Sequence, residues 1–351
     1  MNRYVSLVLF CLGFILAIFV LQDRYYAAGR KSESEIRKAA VEKFHVFKKN
    51  PKTLITIKRG FRHFDCKQVR ILKTEFSSIS RLEDFVPYEL TPSQTKKRGQ
   101  DINSKAFAMN AIALSCHGGS ISKTKRDIYR DKLIERLAKW TSKTKFGFFF
   151  RHQYKYKPLD YELSPGWLSG FAQGQILVGL VLLNSVGRTQ HIEYLIQQFA
   201  LSYRLGSPTV FLDSNGQYWI DEYPGEAAKS YVFNGHIWGL MGLYYIWDYD
   251  LSKDYERELK GAIQTIHNSW KNYRLRGLVN CYDMRICEPD YDPLRAGRQM
   301  RWLYEMSGEY SFLDGAALFD DDAHAVFKRK GDRTECKKNV ISKLNCFWRF
   351  D

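Results

Sequence analysis

Three short segments hold side chains able to move protons or grip an anion. Tyr218-Trp-Ile-Asp-Glu-Tyr-Pro224 sets Asp221, Glu222 and Tyr223 side by side. A carboxylate raised toward neutrality by burial can act as a general acid or base. On a strand, Asp221 and Tyr223 face one way and Glu222 the other. The plainer reading is a solvated acidic strand end. Cys281-Tyr-Asp-Met-Arg285, followed by Glu288-Pro-Asp-Tyr-Asp-Pro293, joins Tyr282 and Tyr291 to the fixed cation Arg285. A guanidinium can hold a carboxylate with two parallel hydrogen bonds; the alternative is a surface pair with Asp283. Ser164-Pro-Gly-Trp-Leu-Ser-Gly-Phe-Ala-Gln-Gly-Gln175 opens a helix with small residues and amides. Free N–H groups there attract anions and glycine allows close approach, although tight helix packing would use the same residues. His236 reads as a packing residue.

The elements that must position these groups are mostly helices. Apolar residues recur at helical spacing over 106–115, 126–140, 168–184, 190–203, 230–248, 254–272 and 294–307. A hairpin is expected over the Phe- and Tyr-rich 146–156. Another spans 208–222, turning at Asp213-Ser-Asn-Gly216. Helices in succession with short connections predict antiparallel pairs. A mainly α chain of this length closes naturally as an α/α toroid, an incomplete helical barrel with short β-hairpins.

The order SGFAQGQ, WIDEYP, YVFNGHIWGLMGLY, YDMR and then DY resembles the C-terminal catalytic domain of the D-glucuronyl C5-epimerases, over about residues 160–310. The resemblance implies an α/α toroid and inversion of carbon 5 in uronosyl residues, D-glucuronosyl to L-iduronosyl, of a glycosaminoglycan-like polysaccharide. It puts Glu222, Tyr223, Tyr282 and Tyr291 on active-site positions and Arg285 on a substrate-binding one. In the same segments Trp167, Gln173, Gln175 and Asn234 are candidate substrate contacts. Residues 23–160 show no match to the β-rich N-terminal region of those enzymes. The implied chemistry removes the weakly acidic proton α to a carboxylate and returns one from the opposite face, with Glu222 and Tyr291 as the pair, Arg285 on the carboxylate, and Tyr223 and Tyr282 as donors. It requires no cofactor. A polysaccharide lyase shares the first step, and a non-catalytic glycan-binding relative is the other alternative.

Composition bounds the partners. With 351 residues, 45% hydrophobic and 26% charged, the chain is globular. A formal charge of +16 suits a polyanion, and 22 Tyr, 23 Phe and 8 Trp suit both a helical core and sugar stacking. No nucleic-acid motif is present. The uncharged run Tyr4–Leu21 after Arg3 reads as a transmembrane signal anchor at 1–22, preceding a stem region at 23–100 and a catalytic domain at 101–351. The anchor would hold that domain on the non-cytosolic side of a membrane, in a Golgi lumen or a bacterial periplasm. Outside the anchor lie six cysteines, enough for three disulfides, with Cys336–Cys346 a local candidate. Asp320-Asp-Asp322 with His324 reads as a solvated turn, with a structural divalent cation as the alternative. The resemblance also suggests a homodimer.

Overall fold

The computed structural model describes residues 32, 34–35, 38–39, 55–64, 66, 99, 102–225, 229–251 and 253–330. The expected anchor at 1–22, most of the stem, and Cys336 and Cys346 lie outside them. Among the described residues no helix is long and apolar enough to cross a membrane.

Among the described residues eight helices carry the fold, beginning with α1 (Ser104–His117), α2 (Lys123–Lys139), α3 (Gly170–Val186) and α4 (Gln190–Ala200). They continue with α5 (Phe233–Asp248), α6 (Glu256–Tyr273), α7 (Arg295–Ser307) and α8 (Tyr310–Lys330). Side-chain caps fix four starts: Asn103, Ser122, Ser169 and Thr189 each accept a backbone N–H in the first turn. Gly308, at φ 75°, closes α7 in the left-handed conformation that glycine adopts without strain. Helices α1, α3 and α5 are buried on nearly every side, whereas α2, α4 and α6 bury one stripe. Accordingly α3 packs between α1 and α5, α5 meets α7, and α2, α4, α6 and α8 back these helices from outside. The result is an arc of four helix pairs. Backbones of α3 and α5 nearly touch: a Cβ on Gly174 would fall on the Trp238 carbonyl.

Two hairpins decorate the arc, β1 (Thr141–Thr144) with β2 (Gly147–Phe150) and β3 (Val210–Leu212) with β4 (Tyr218–Ile220). The second lies where the sequence predicts it, and Asp213 Oδ1 accepts the N–H groups of Asn215 and Gln217 to form its turn. The first is shifted toward the N-terminus from 146–156. Gly147, at φ 84°, supplies the turn, and after Phe150 the chain becomes an irregular arm with bridges His152–Trp167 and Tyr156–Leu163. Helix α8 exceeds the expectation too, because the Asp320–Asp322 run hides it. Those acids do not form a solvated turn. Asp322 takes Arg274 and the Gly277 N–H, and Asp320 pairs with Arg301. Among the described residues no group of three or more His, Cys, Asp or Glu is placed to hold a metal ion.

Residues 55–64 cross the arc as a strap. Lys58 N–H donates to Met306 O at 2.6 Å, Phe61 N–H to Tyr244 Oη at 3.0 Å, and His63 Nδ1 lies 2.9 Å from Tyr245 Oη. A Cys66–Cys116 disulfide ties the strap's end to α1. The strap thus joins three inner helices.

Candidate active site

A cleft of about 140 Å³ opens between the inner helices. Its walls include Lys105 and Met109 from α1, Phe171 and Gln175 from α3, Asn234 and Trp238 from α5, and Arg295, Arg298, Gln299 and Trp302 from α7, with Tyr291 and the carboxylate Asp292 at the approach to α7. Aromatic faces, amides and cations together suit an acidic sugar.

Beside this cleft the acidic segment turns inward after β4. Gly170 N–H, at the start of α3, donates to the Asp221 carbonyl at 2.9 Å and anchors the segment. Asp221 is fully buried. Its Oδ1 accepts from Ser230 Oγ, Ser230 N and Tyr223 N, so it staples the loop. Burial nevertheless pushes its carboxyl up to about 6. Glu222 is buried as well. Tyr282 Oη donates to its Oε1 at 3.3 Å, and among the described residues its Oε2 has no hydrogen-bond partner. Burial pushes Glu222 up to about 7, against the opposing pull of Tyr223, Arg295 and Tyr282. Tyr223 Oη lies 2.7 Å from Tyr282 Oη. Since Tyr282 spends its proton on Glu222, the chain runs Tyr223 to Tyr282 to Glu222. Burial raises both phenols well above the usual tyrosine value. Gly235 makes room for the carboxylate: a Cβ there would fall on Glu222 Cβ and Oε2. His236, as expected, is structural. Its Nδ1 accepts from Ile220 N at 3.1 Å and its Nε2 lies 2.9 Å from Ala262 O.

Tyr291 faces Tyr282 with ring centroids 5.8 Å apart, and Arg295 Cζ lies 3.6 Å from the centre of the Tyr291 ring. Tyr291 is 72% exposed. It is wetted but walled in: the surrounding protein pushes its phenol up to about 12, while Arg295 pulls it down. Arg295 is itself nearly buried, with Asp290 at 3.5 Å and Asp292 at 3.9 Å.

The remaining expected contacts divide. Gln175 and Asn234 line the cleft, held by Ser104 Oγ and Gln299 Nε2 respectively, each at 2.8 Å. Gln173 points elsewhere, accepting from Phe150 N and donating to Phe148 O, and so ties β2 to α3. Trp167 stacks on His152 at 3.9 Å and on Tyr156 at 5.5 Å, behind Tyr223. Arg285 does not reach the cleft. Both its terminal nitrogens bind Asp160, at 2.7 and 2.5 Å. The cations of the cleft are Lys105, Arg295 and Arg298, none of which the motifs single out. Arg295 follows Tyr291 by four residues, but Tyr291 precedes α7, so no helical spacing marks the pair in the sequence.

A family model described as D-glucuronyl C5-epimerase C-terminus matches residues 143–320, half of the chain. The chain belongs to that family. The matched span holds Glu222, Tyr223, Tyr282, Tyr291 and Arg295, but α1 with Lys105 precedes it. Among solved structures, a cellobiose 2-epimerase from Bacillus thermoamylovorans B4167 is similar at 14% identity, covering 82% of this chain and 87% of that one, with a TM-score of 0.46. An unsaturated glucuronyl hydrolase from Streptococcus agalactiae is similar at 12% identity over 86% and 81%, with a TM-score of 0.39. A family 76 glycoside hydrolase from a bovine Bacteroides thetaiotaomicron strain has 9% identity over 64% and 44%, with a TM-score of 0.36. No curated protein matches the sequence.

Proposed function

We propose that the protein inverts carbon 5 of uronosyl residues within an acidic polysaccharide, D-glucuronosyl to L-iduronosyl or an equivalent inversion, on an incomplete α/α toroid. The observation that carries this reading is the buried Glu222 carboxyl, raised toward neutrality and hydrogen-bonded to the Tyr282 phenol, beside a cleft whose own phenol, Tyr291, rests on an arginine. Proton transfer works best when the catalytic group titrates near the working pH.

Glu222 lies behind Tyr282, which refines the expected Glu222–Tyr291 pair. Tyr282 oxygen takes the C5 proton as its own hydroxyl proton passes to Glu222 Oε1. Tyr291 delivers a proton to the opposite face, and its exposure lets solvent restore it. Tyr223 donates to Tyr282 and holds the phenol in place. Arg295 stabilises the Tyr291 oxygen as its proton leaves. The non-cytosolic placement belongs to the same proposal, supported by disulfides Cys66–Cys116 and Cys281–Cys287.

The test is incubation with uronans in heavy water, read by proton NMR. Deuterium at C5 in an intact chain is the expected result. Glu222→Gln should slow exchange by roughly 100- to 10,000-fold, the usual worth of a general acid–base group. Chain scission with unsaturated, ultraviolet-absorbing ends would replace the proposal with a lyase. A folded Glu222→Gln protein exchanging at the wild-type rate would remove Glu222 from the mechanism.

A further inference from the structure

The cations around the cleft differ in what already neutralises them. Arg285 is bound to Asp160 through both terminal nitrogens. Arg298 is held by Asp292. Arg295 sits between Asp290 and Asp292 with its flat face on Tyr291. Lys105 stands apart. It lies in the first turn of α1 and lines the same cleft. Among the described residues no carboxylate or hydrogen-bond acceptor meets its ammonium, and the charged group acting on it is Arg295, a like charge. Desolvation first, and Arg295 second, lower its pKa. Two cations from different inner helices thus line one wetted cleft, and its one lining carboxylate, Asp292, is paired with Arg295 and Arg298 rather than with Lys105. A negative group entering beside Lys105 would meet a charge that no carboxylate among the described residues balances.

We propose that Lys105 receives the carboxylate of the reacting uronosyl residue, the role the sequence motifs suggest for Arg285. This rests on the C5-inversion reading above. A carboxylate seated on Lys105 lies beside Gln175, which shares its wall of the cleft, and leaves Arg295 to serve Tyr291. The negative charge that develops on the carboxylate oxygens as C5 loses its proton then forms against an uncompensated ammonium. A lysine is a compact point charge and can follow that redistribution without the fixed fork of a guanidinium.

Binding separates this assignment from the reaction. The probes are a glucuronic-acid-containing oligosaccharide and its methyl ester, titrated calorimetrically into the full chain. The wild type should prefer the acid by roughly 10- to 100-fold, the range for a hydrogen bond to a charged group. Lys105→Met should bind acid and ester alike without a lowered melting temperature, since it removes a cation that Arg295 repels. Lys105→Arg should recover part of the preference, and Arg285→Met should keep all of it. A Lys105→Met protein that still prefers the acid, or a wild type that never does, overturns the assignment. Wild-type C5 exchange with an unaltered preference in Lys105→Met would sink only Lys105. A Lys105-dependent preference without any exchange would keep the seat and discard the reaction.

Discussion

Glu222 combines two demands that oppose each other, burial and charge. Its Oε1 has a phenol and its Oε2 packs against Gly235 with no hydrogen-bond donor among the described residues, so ionising it is costly and its pKa rises to about 7. Gly235 sets that geometry, and Gly235→Ala tests it. Alanine favours a helix over glycine by up to about 1 kcal/mol, but its Cβ would occupy the space of Glu222 Cβ and Oε2. Overpacking costs about 1–3 kcal/mol, and a misplacement of about 1 Å can cost roughly 100-fold in rate. The expected variant is therefore somewhat less stable in thermal melts and exchanges C5 protons at least tenfold more slowly; full exchange would show that Glu222 need not stay where it is. Glu222, Tyr223, Tyr282 and Tyr291 were legible because each stands in a compact motif. Lys105 and Arg295 were not, because an ordinary helical cation acquires meaning only when α1 and α7 face each other. Arg285 was legible as a cation, but its partner Asp160 lies in an irregular arm that no periodicity reveals.

At the level of elements, the loop 281–287 determines where Tyr282 stands. Tyr282 N–H donates to Glu288 O at 2.7 Å and its carbonyl accepts from Phe233 N at 3.2 Å, while Asp283 Oδ2 takes the Tyr231 N–H at 2.7 Å. The Cys281–Cys287 disulfide closes this loop. Closing so short a loop is worth about 2 kcal/mol on the chain-entropy account. Replacing both cysteines by alanine should lower the melting temperature by roughly 4–8 °C, using 2–4 °C per kcal/mol for a domain of this size. The backbone hydrogen bonds around Tyr282 persist, so exchange should fall by less than about tenfold. A larger loss of rate than of stability would mean that the disulfide itself positions the phenol. The helices that hold the cleft were readable from their apolar period. The β1–β2 hairpin was misplaced because aromatic content outweighed the turn at Gly147, and α8 was hidden by acids that bond to Arg274 and Arg301 on neighbouring elements.

At the level of the whole molecule, buried titratable groups work against each other. Burial keeps His63 neutral down to about 3 and His236 down to about 4, so below the usual histidine value the unfolded chain binds protons that the native chain refuses. These histidines therefore make stability rise with pH up to about 6.5. Glu222 and Asp221, raised to about 7 and 6, act in the opposite sense: the native chain holds protons that the unfolded chain has released, and stability falls as pH climbs through their native values. Between about pH 4.5 and 6, two protons favour each side and these four groups nearly cancel. Glu222→Gln breaks the balance. Relative to wild type, its stability should be nearly unchanged below about pH 4.5, should rise by about 1.4 kcal/mol per pH unit above that, and should level off beyond about pH 7. Urea melts of the two proteins across pH 4–8 measure this difference directly, and every group shared by both drops out. A flat difference would mean that Glu222 ionises as freely in the native chain as in the unfolded one. It would then lack the raised pKa that lets it take a proton from Tyr282 near neutral pH.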